Sequence, residues 1–309
     1  MKPLQAIDVR GLTKRFGSRT VVDHIDLQVG EGRICGFLGP NGSGKTTTLR
    51  MMCGLLIPDE GGGRVLGLDL KEDRSRIKLQ TGYMTQKFGL FGDLTIRENL
   101  EFVARVYGLD RRKARVDAGL EQLGLMKRAD QLAGKLSGGW KQRLALAASV
   151  LHEPRILLLD EPTAGVDPQA RREFWDQIHS LAKTGITVLV STHYMDEAER
   201  CHEIAYIAKG VILARGTTDE VIAASGLHAL AGDGPGADQL AADIQTRPGV
   251  STAAAFGTVL HVCGTDPFAL RKAVEPWEKS IHFTETPPTL EDVFIDLVRK
   301  AANNSAEVA

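Results

Sequence analysis

The sequence has few cysteines, and none stands where a metal site or a disulfide framework would need it. The four cysteines, at positions 35, 53, 201 and 263, are far apart, form no Cys-x-x-Cys pair and have no histidine at ligand spacing. Closely spaced cysteines are what structural zinc sites and small secreted disulfide folds require. We therefore predict four reduced thiols in a cytosolic protein.

A surplus of charge and long apolar runs are also missing. The 309 residues carry a formal net charge of −1, so the chain offers no basic excess to neutralise a nucleic-acid backbone. No apolar run approaches the roughly 18 to 20 residues that a membrane-spanning helix needs. The start, MKPLQAIDVR, carries Asp8 and Arg10 where a signal peptide would be apolar. We expect a soluble subunit, with no nucleic acid among its partners.

The chain shows no internal repeat, and its glycine-rich loop, GPNGSGKTT, occurs once. This loop follows the apolar run Ile34–Leu38 and leads into a helical pattern that extends to about Met52. It fits the P-loop pattern, in which backbone amides and a helix N-terminus hold phosphates, the lysine reaches the β- and γ-phosphates and the hydroxyl binds Mg²⁺. We predict a nucleoside-triphosphate site formed by Gly39, Pro40, Asn41, Gly42, Ser43, Gly44, Lys45, Thr46 and Thr47.

Two acidic residues end a later apolar run, ILLLD, at Asp160 and Glu161. Phosphoryl transfer needs an anchor for the metal and a group that orients or deprotonates water. Asp160 fits the first role and Glu161 fits the second. The pair could instead be the first solvated turn after a buried strand, and the P-loop upstream is what favours the catalytic interpretation.

The order of apolar patterns predicts an α/β fold with a mostly parallel sheet. Two β-rich stretches, Leu4–Val9 and Ile25–Val29, open the chain, and we expect an antiparallel β portion in addition to the parallel sheet. Ile156–Asp160 and Ile186–Thr192 are continuous apolar runs, which are typical of strands buried on both faces of a parallel sheet.

The middle third of the chain is helical in pattern. Thr95 and Glu98 stand at capping-box spacing ahead of IRENLEFVARVYG. Further on, Asp167 as N-cap and Pro168 at the first helical position predict another helix. We place a helical subdomain at about residues 87–152, within a first domain of residues 1–223.

A change of composition marks a domain boundary. The stretch ASGLHALAGDGPG contains four glycines and a proline, which is typical of a linker. We predict a linker at 224–236, a small C-terminal α/β domain at 237–300 and a flexible tail at 301–309. This second domain could stabilise a dimer, contact a partner, or be a packing appendage.

The segment LSGGWKQR, which stands ahead of LLLDEP, resembles the signature motif of the ATP-binding-cassette (ABC) ATPases. In that family two cassettes form a head-to-tail dimer, and the signature residues of one subunit bind the γ-phosphate of ATP held by the P-loop of the other. The resemblance covers about residues 4–222 and implies a P-loop cassette, ATP and Mg²⁺ as cofactors, and a second copy of the chain as partner. It assigns the γ-phosphate contacts to Ser137, Gly138 and Gly139, at the start of a helical pattern whose N-terminus suits an anion.

Other cassette motifs are present in the expected order. Phe16, in KRFGS, resembles the aromatic residue that stacks on adenine, with a buried core aromatic as the alternative. Gln86 matches the Q-loop glutamine, Asp167 the D-loop, and His193, in VSTHYMDEA, the switch histidine. A lone histidine after a strand would otherwise more often be structural. The resemblance implies Glu161, His193 and Gln86 as catalytic residues, Phe16 and Asp167 as nucleotide-binding residues, and Thr46, Gln86 and Asp160 around the metal.

One position departs from the commoner family pattern. Trp140 stands where the family most often has glutamine. An indole can pack at a dimer interface, but it does not replace the hydrogen bonds of an amide. The phosphate contacts of the three preceding residues remain, so we expect ATPase activity to persist.

Two further segments resemble the drug-resistance or ABC-2-type exporters: QKFGLFGDLTIRENL, next to Gln86, and PPTLEDVFIDLV near the C-terminus. The ATP-binding subunit of those exporters is a separate polypeptide. The resemblance implies that two copies of the chain dock on integral-membrane permease subunits at the cytoplasmic face of the membrane. The transported substrate would be a drug or another hydrophobic or amphipathic molecule.

A soluble ABC ATPase that acts on nucleic acid or on the ribosome is the alternative. The ribosome-associated group carries two cassettes in one chain, whereas this sequence has one P-loop. The DNA-repair group has a long coiled coil between P-loop and signature, whereas the roughly 90 residues found here show no sustained heptads. These differences favour transport.

Overall fold

The computed structural model describes residues 5–234, 236–278 and 280–306. The chain divides into two compact units, Met1–Ile212 and Leu213–Ala309, whereas the sequence predicts a later boundary, at 224–236. A strand occupies the middle of that predicted linker, at His228–Asp233. Its sequence, HALAGD, has no β-branched residue and therefore a low β-propensity. The segment forms a strand because it pairs with a neighbouring strand on each side. The segment is thus part of a folded unit and not a linker.

The first unit contains two sheets. Its strands are β1 (Gln5–Phe16), β2 (Arg19–Gly30), β3 (Ile34–Leu38), β4 (Glu60–Val65), β5 (Leu68–Asp69), β6 (Thr81–Met84), β7 (Ile156–Asp160), β8 (Thr187–Thr192) and β9 (Glu203–Ala208). Strand β10 (Val211–Gly216) begins in this unit and ends past its boundary. One sheet has the order β2-β1-β4-β5 and pairs antiparallel; the other has the order β10-β9-β3-β8-β7-β6. Strand β3 pairs in parallel with β8 and β9, and β7 with β6 and β8. The predicted mixture of parallel and antiparallel sheets is confirmed, although β1 and β2 are much longer than predicted.

The parallel strands separate two hydrophobic cores. Every residue of β3 and of β7 is buried. Successive side chains of a strand point to opposite faces, so Leu157 and Leu159 join one core while Ile156 and Leu158 join the other. This two-sided burial explains the continuous apolar runs in the sequence, and it holds the carboxyl ends of these strands in fixed positions.

The helices of the first unit are α1 (Lys45–Met52), α2 (Arg74–Gln80), α3 (Ile96–Val106), α4 (Arg112–Gln122), α5 (Gly138–Val150), α6 (Pro168–Lys183) and α7 (Met195–Ala198), with short 3-10 helices at Met126–Arg128 and Ala133–Lys135. The predicted capping box of Thr95 and Glu98 is present at the start of α3. Asp167 caps α6 by accepting a hydrogen bond from the amide of Ala170, as predicted. Helices α3, α4 and α5 lie inside the segment predicted as a helical subdomain. None of the helices in the described parts of the chain is long and apolar enough to span a bilayer.

The second unit consists of α8 (Thr218–Ser225), β11 (His228–Asp233), α9 (Ala237–Gln245), β12 (Thr252–Phe256), β13 (Val259–Gly264), α10 (Pro267–Val274), a 3-10 turn at Glu275–Trp277, β14 (His282–Thr286) and α11 (Leu290–Ala306). Its antiparallel sheet has the order β12-β13-β11-β14, which with the two intervening helices gives the split β-α-β arrangement of ferredoxin-like domains. Helix α11 extends to Ala306, into the predicted tail at 301–309, because AANNSA contains no proline or glycine to stop it. Residues 307–309 lie outside the described residues.

Candidate functional site

The P-loop lies between β3 and α1 and follows a path that only glycine accepts at two positions. Gly39 and Gly44 have φ angles of 155° and 106°. A Cβ at Gly39 would lie 2.0 Å from the carbonyl oxygen of Ile207, and one at Gly44 would lie 2.7 Å from that of Val21. Both glycines are therefore required by close backbone approach. The loop leads directly into α1, which begins at Lys45, so its backbone amides lie beside the helix N-terminus.

The Lys45 side chain is only 4% exposed and is held by three oxygens. Its ammonium donates to the carbonyls of Gly39, at 2.7 Å, and Pro40, at 3.1 Å. It also lies 3.2 Å from Oε1 of Glu161. A buried ammonium needs such partners, so the lysine is fixed inside the loop with its charge directed at the Glu161 carboxylate.

Thr46 and Asp160 meet at the carboxyl end of β7. The Thr46 hydroxyl donates to Oδ1 of Asp160 at 3.0 Å, and the Ser191 hydroxyl, from β8, donates to the same oxygen at 2.9 Å. Asp160 is 2% exposed. One carboxylate next to one hydroxyl fits Mg²⁺, which is usually bound through one or two carboxylates together with substrate phosphates. Among the described residues there is no cluster of three or more His, Cys, Asp and Glu that could form an all-protein metal site.

Glu161 is the residue on which the predicted catalytic groups converge. Its Oε2 accepts a hydrogen bond from Nε2 of Gln86 at 3.0 Å and lies 3.6 Å from Nδ1 of His193. The carboxylate is 8% exposed, and the residue has a positive φ of 46°. Its amide donates to the Ser191 hydroxyl, at 2.9 Å, and carbonyl, at 3.1 Å. These two bonds hold a backbone conformation that non-glycine residues rarely adopt.

The structure brings most of the predicted nucleotide site together. A cavity of about 230 Å³ is lined by Val21, Asn41, Gly42, Gly44, Lys45, Thr46, Thr47, Gln86 and Glu161. The Ser43 side chain is buried, and its hydroxyl has no hydrogen-bond partner among the described residues. An unsatisfied buried hydroxyl beside a phosphate-binding loop fits an anionic ligand. Phe16 is 52% exposed at the end of β1, which removes the buried-core alternative for this aromatic residue.

The predicted signature residues lie elsewhere. Ser137 and Gly138 are exposed at the N-terminus of α5, and the Ser137 side chain caps no amide among the described residues. Asp167, at the N-terminus of α6, lines the same cavity as Ser137, with a volume of about 250 Å³. This cavity shares no lining residue with the P-loop cavity. Within one chain, the P-loop and the predicted signature residues therefore do not line the same cavity.

Several supporting residues escaped the sequence-based predictions. Ser191 links β8 to Asp160 and Glu161, and it could have been noticed because it stands two residues before the switch histidine. The Tyr83 hydroxyl, on β6, lies 3.4 Å from Oδ2 of Asp160, and burial raises the pKa of Tyr83 to about 12. The phenol therefore stays protonated at neutral pH and can donate to the carboxylate.

A buried cluster behind the site was also missed. Glu197, on α7, is 0% exposed and accepts a hydrogen bond from the Thr163 hydroxyl. Nε of Arg171, on α6, lies 3.6 Å from the same carboxylate oxygen, and the guanidinium stacks at 4.0 Å on the ring of Tyr194. The cluster connects the segment after Glu161, through Thr163, to the segment after His193, through Tyr194 and Glu197. No motif in the sequence marks it, because its members are joined only by the fold.

Comparison with known proteins places the chain in a family. A family model described as "ABC transporter" matches residues 22–164. The chain is 49% identical over 221 residues to the probable multidrug ABC transporter ATP-binding protein YbhF of Escherichia coli, a match that covers 71% of this chain and 38% of that protein. It is 36% identical over 302 residues to the Nod factor export ATP-binding protein I of Ralstonia nicotianae, covering 94% of this chain and 93% of that protein.

Solved structures give the same result for the first unit. The structure of cbiO1 from Clostridium perfringens, part of the ABC transporter complex cbiONQ, matches with a TM-score of 0.66 at 27% identity, over 71% of this chain and 91% of that one. A dimeric post-hydrolysis structure of the ATP-binding cassette MJ0796 with ADP and phosphate matches with a TM-score of 0.62 at 26% identity, over 68% and 97% of the two chains. The fold, the P-loop geometry and these relatives together show that the chain belongs to the family of ATP-binding subunits of ABC transporters.

Proposed function

We propose that this chain is the ATP-hydrolysing subunit of an ABC exporter and that it works as a head-to-tail dimer around two ATP molecules. The observation that carries the dimer is the separation of the P-loop cavity from the exposed turn at Ser137 and Gly138. An exposed helix N-terminus without an acidic residue in its first turn suits the γ-phosphate of a nucleotide held by another copy.

Hydrolysis would be carried out by the residues that converge on the strand ends. Thr46, Gln86 and Asp160 would hold Mg²⁺, which supplies positive charge against the phosphate oxygens when it is bound. Lys45 would contact the β- and γ-phosphates, and its charge would then be shared between Glu161 and the nucleotide. Gly39 to Thr47 would surround the phosphates, and exposed Phe16 would stack on the adenine.

Glu161 would accept the proton of the water that attacks the γ-phosphorus, while the bond between that phosphorus and the bridging oxygen breaks to give ADP and phosphate. Gln86 and His193 lie at 3.0 Å and 3.6 Å from Oε2 of this carboxylate and would orient it toward the water. Asp167 would contact the other copy across the dimer, beside the signature turn. ATP would favour the closed dimer because it contacts both copies, and product release would reopen it.

Export is supported by the relatives and by one surface. Phe91 and Phe102 are exposed aromatics in edge-to-face contact, with ring centroids 5.1 Å apart. Asn99 holds the loop beside them by accepting from the amide and donating to the carbonyl of Phe91, both at 2.9 Å. A rigid exposed apolar surface suits a protein partner. We propose that permease subunits dock here, at the cytoplasmic face of the membrane, for efflux of a drug or another hydrophobic or amphipathic molecule.

Co-purification from detergent-solubilised membranes tests this assignment. We expect the tagged chain to bring down a polytopic membrane protein in roughly equal amount, and the double variant Phe91→Ser/Phe102→Ser to lose it. Phe268→Ser is the matched control, because Phe268 is a highly exposed phenylalanine in the second unit. Recovery of nucleic acid or ribosomes in place of a membrane protein would contradict the exporter assignment and favour a soluble cassette ATPase.

A further inference from the structure

The side chain of Trp140, the residue that departs from the family pattern, is held between two guanidinium groups. The Cζ atom of Arg128 lies 4.6 Å from the indole ring centre, and that of Arg143 lies 4.8 Å from it. Both distances are within the range of a cation–π interaction, for which tryptophan is the best aromatic partner. We call these three residues the indole clamp. Of the three, Trp140 lies in the first turn of α5, directly after the two signature glycines.

The clamp connects this first turn to two neighbouring segments. Arg143 donates to Oε2 of Glu173, on α6, at 2.7 Å and to the carbonyl of Leu123 at 3.4 Å. Arg128 ends the short 3-10 helix at Met126–Arg128. The indole therefore bridges α5 to the segment that follows α4, and Arg143 bridges α5 to α6.

The second signature glycine, Gly139, is packed closely against α6. A Cβ at Gly139 would lie 2.7 Å from Cβ of Ala170 on α6. Lys141, one residue after the tryptophan, lies with its ammonium 5.8 Å from the ring centre of Phe88, close to the Q-loop glutamine. The orientation of the Gly138 and Gly139 amides thus depends on how the first turn of α5 is seated between these neighbours.

Packing in the hydrophobic core does not by itself explain the environment of the Trp140 side chain. Trp140 is only half-buried and contacts the hydrophobic core of the first unit from its edge. Its ring is covered by two cations, and no acidic residue lies in the first turn of α5. Because Arg143 is also paired with Glu173, the clamp supplies the turn with a fixed geometry and not with a surplus of positive charge.

We infer that Trp140 is a positioning residue for ATP bound across the dimer: the indole clamp fixes the amides of Gly138 and Gly139 before the γ-phosphate of the facing copy arrives. This inference rests on the proposed head-to-tail dimer. The clamp replaces the amide hydrogen bonds of the commoner glutamine with a preset orientation, which lowers the cost of ordering the turn when the nucleotide binds.

The test makes two measurements on each variant in the Glu161→Gln background. Light scattering gives the ATP concentration at which half of the protein is dimeric, and a binding titration gives the affinity for ADP. Trp140→Ala removes both stacks and should raise that concentration about tenfold, equivalent to about 1.4 kcal/mol. Trp140→Phe keeps an aromatic face for both guanidiniums and should raise it by no more than about threefold. ADP lacks the γ-phosphate, so its affinity should not change in either variant.

A second pair of variants acts on the exposed side of the clamp. Arg128→Met keeps an apolar stem against the indole but removes the charge, and should raise the half-maximal ATP concentration about threefold. Arg128→Lys keeps the charge and should stay close to the parent. Because Arg128 is exposed, neither variant disturbs the core.

Four results would overturn the inference. Trp140→Ala could match the parent, Trp140→Ala and Trp140→Phe could lose dimer equally, Arg128→Met could behave as Arg128→Lys does, or ADP affinity could fall together with dimer formation. If the Glu161→Gln parent stays monomeric with ATP, the proposed dimer fails and this inference fails with it.

Discussion

The P-loop site and the signature turn lie in the same unit and are built in opposite ways. Around the P-loop, Lys45, Asp160 and Glu161 are buried, and their charged groups contact one another, neighbouring carbonyls or, for Asp160, the hydroxyls of Thr46 and Ser191. At the signature turn, Ser137 and Gly138 are exposed, and the serine side chain caps none of the described amides. The first is organised by its own chain. The second is exposed at a helix N-terminus, which is what the proposed half-site for a ligand held by another copy requires.

The largest expected effect comes from removing the carboxylate at the centre of the organised site. Glu161→Gln deletes the proton acceptor but keeps the shape, so we expect the ATPase rate to fall about 10²- to 10⁴-fold while ATP still binds and produces a dimer. Steady-state phosphate release and light scattering measure the two properties. Glu121→Gln, at an exposed helical position, is the control and should behave as the parent does. A Glu161→Gln protein that turned over normally would remove this residue from the catalytic role.

The next effect is directed at the outward half-site. Gly138→Asp places a carboxylate in the first turn of α5, where an acidic residue favours the helix but opposes a phosphate. The position has space, since the nearest atom to an added Cβ is the carbonyl oxygen of Gly165 at 3.7 Å. We expect a loss of ATPase rate of about a hundredfold with unchanged ADP affinity.

Gly138→Ala is the matched control for that variant, because it fills the same space without charge. Its ATPase rate should stay within a few-fold of the parent rate. If the aspartate and alanine variants lost activity equally, the turn would be serving packing and not phosphate binding, and the contrast between the two half-sites would lose its functional meaning.

A smaller effect concerns the cluster that supports the organised site. Thr163→Val removes the hydroxyl that donates to the fully buried carboxylate of Glu197, and we expect the free energy of unfolding to fall by about 1–3 kcal/mol. Urea denaturation measures the change. Thr163→Ser keeps the hydroxyl and should lose less. If the valine variant were as stable as the parent, the hydroxyl would not be needed by that carboxylate.

The smallest effect is expected at the far end of α5, away from both half-sites. Burial lowers the pKa of His152 below its ordinary value of 6.5, and its ring stacks at 3.9 Å on that of Tyr107. A lowered histidine pKa in the folded protein means that stability is fully present above pH 6.5 and is lost as the pH falls through the folded value.

His152→Phe keeps an aromatic ring but removes the titration. Between about pH 8 and pH 5, we expect its free energy of unfolding to fall less than that of the parent. The difference between the two falls should be less than about 1 kcal/mol, because the histidine ring is partly exposed to solvent. Denaturation curves across this range measure the difference. Part of the acid sensitivity should remain, since burial also lowers the pKa of His179 and His202. Identical pH profiles would contradict a role for His152.

The sequence predicted the strands and helix start around the P-loop well because their signals are local. The all-buried strands β3 and β7, the P-loop glycines and the capped start of α6 each follow from short patterns. The second unit was predicted less completely, since β11 is an alanine- and glycine-rich segment that becomes a strand through its neighbours.

What sequence reasoning missed depends on contacts between distant segments. Thr163 and Glu197 are 34 residues apart and meet only because β7 and β8 are adjacent and parallel. Arg128 and Trp140 belong to different helices, so their stacking could not be read from either segment alone. The departure of Trp140 from the family pattern was visible in the sequence, but its environment was not.

The most direct test of the central claim is whether the two half-sites of different copies meet. In the Glu161→Gln background, one chain carries Asn41→Cys, in the lining of the P-loop cavity, and the other carries Lys135→Cys, two residues before Ser137. Cys35 is fully buried, and burial raises the pKa of the thiols of Cys53, Cys201 and Cys263, so the four native thiols should remain unreactive. With ATP and a short bis-maleimide, we predict that the mixture forms a cross-linked heterodimer and that neither chain alone forms a comparable product. An absence of cross-linking in the mixture, or equal cross-linking of each chain with itself, would contradict the head-to-tail arrangement.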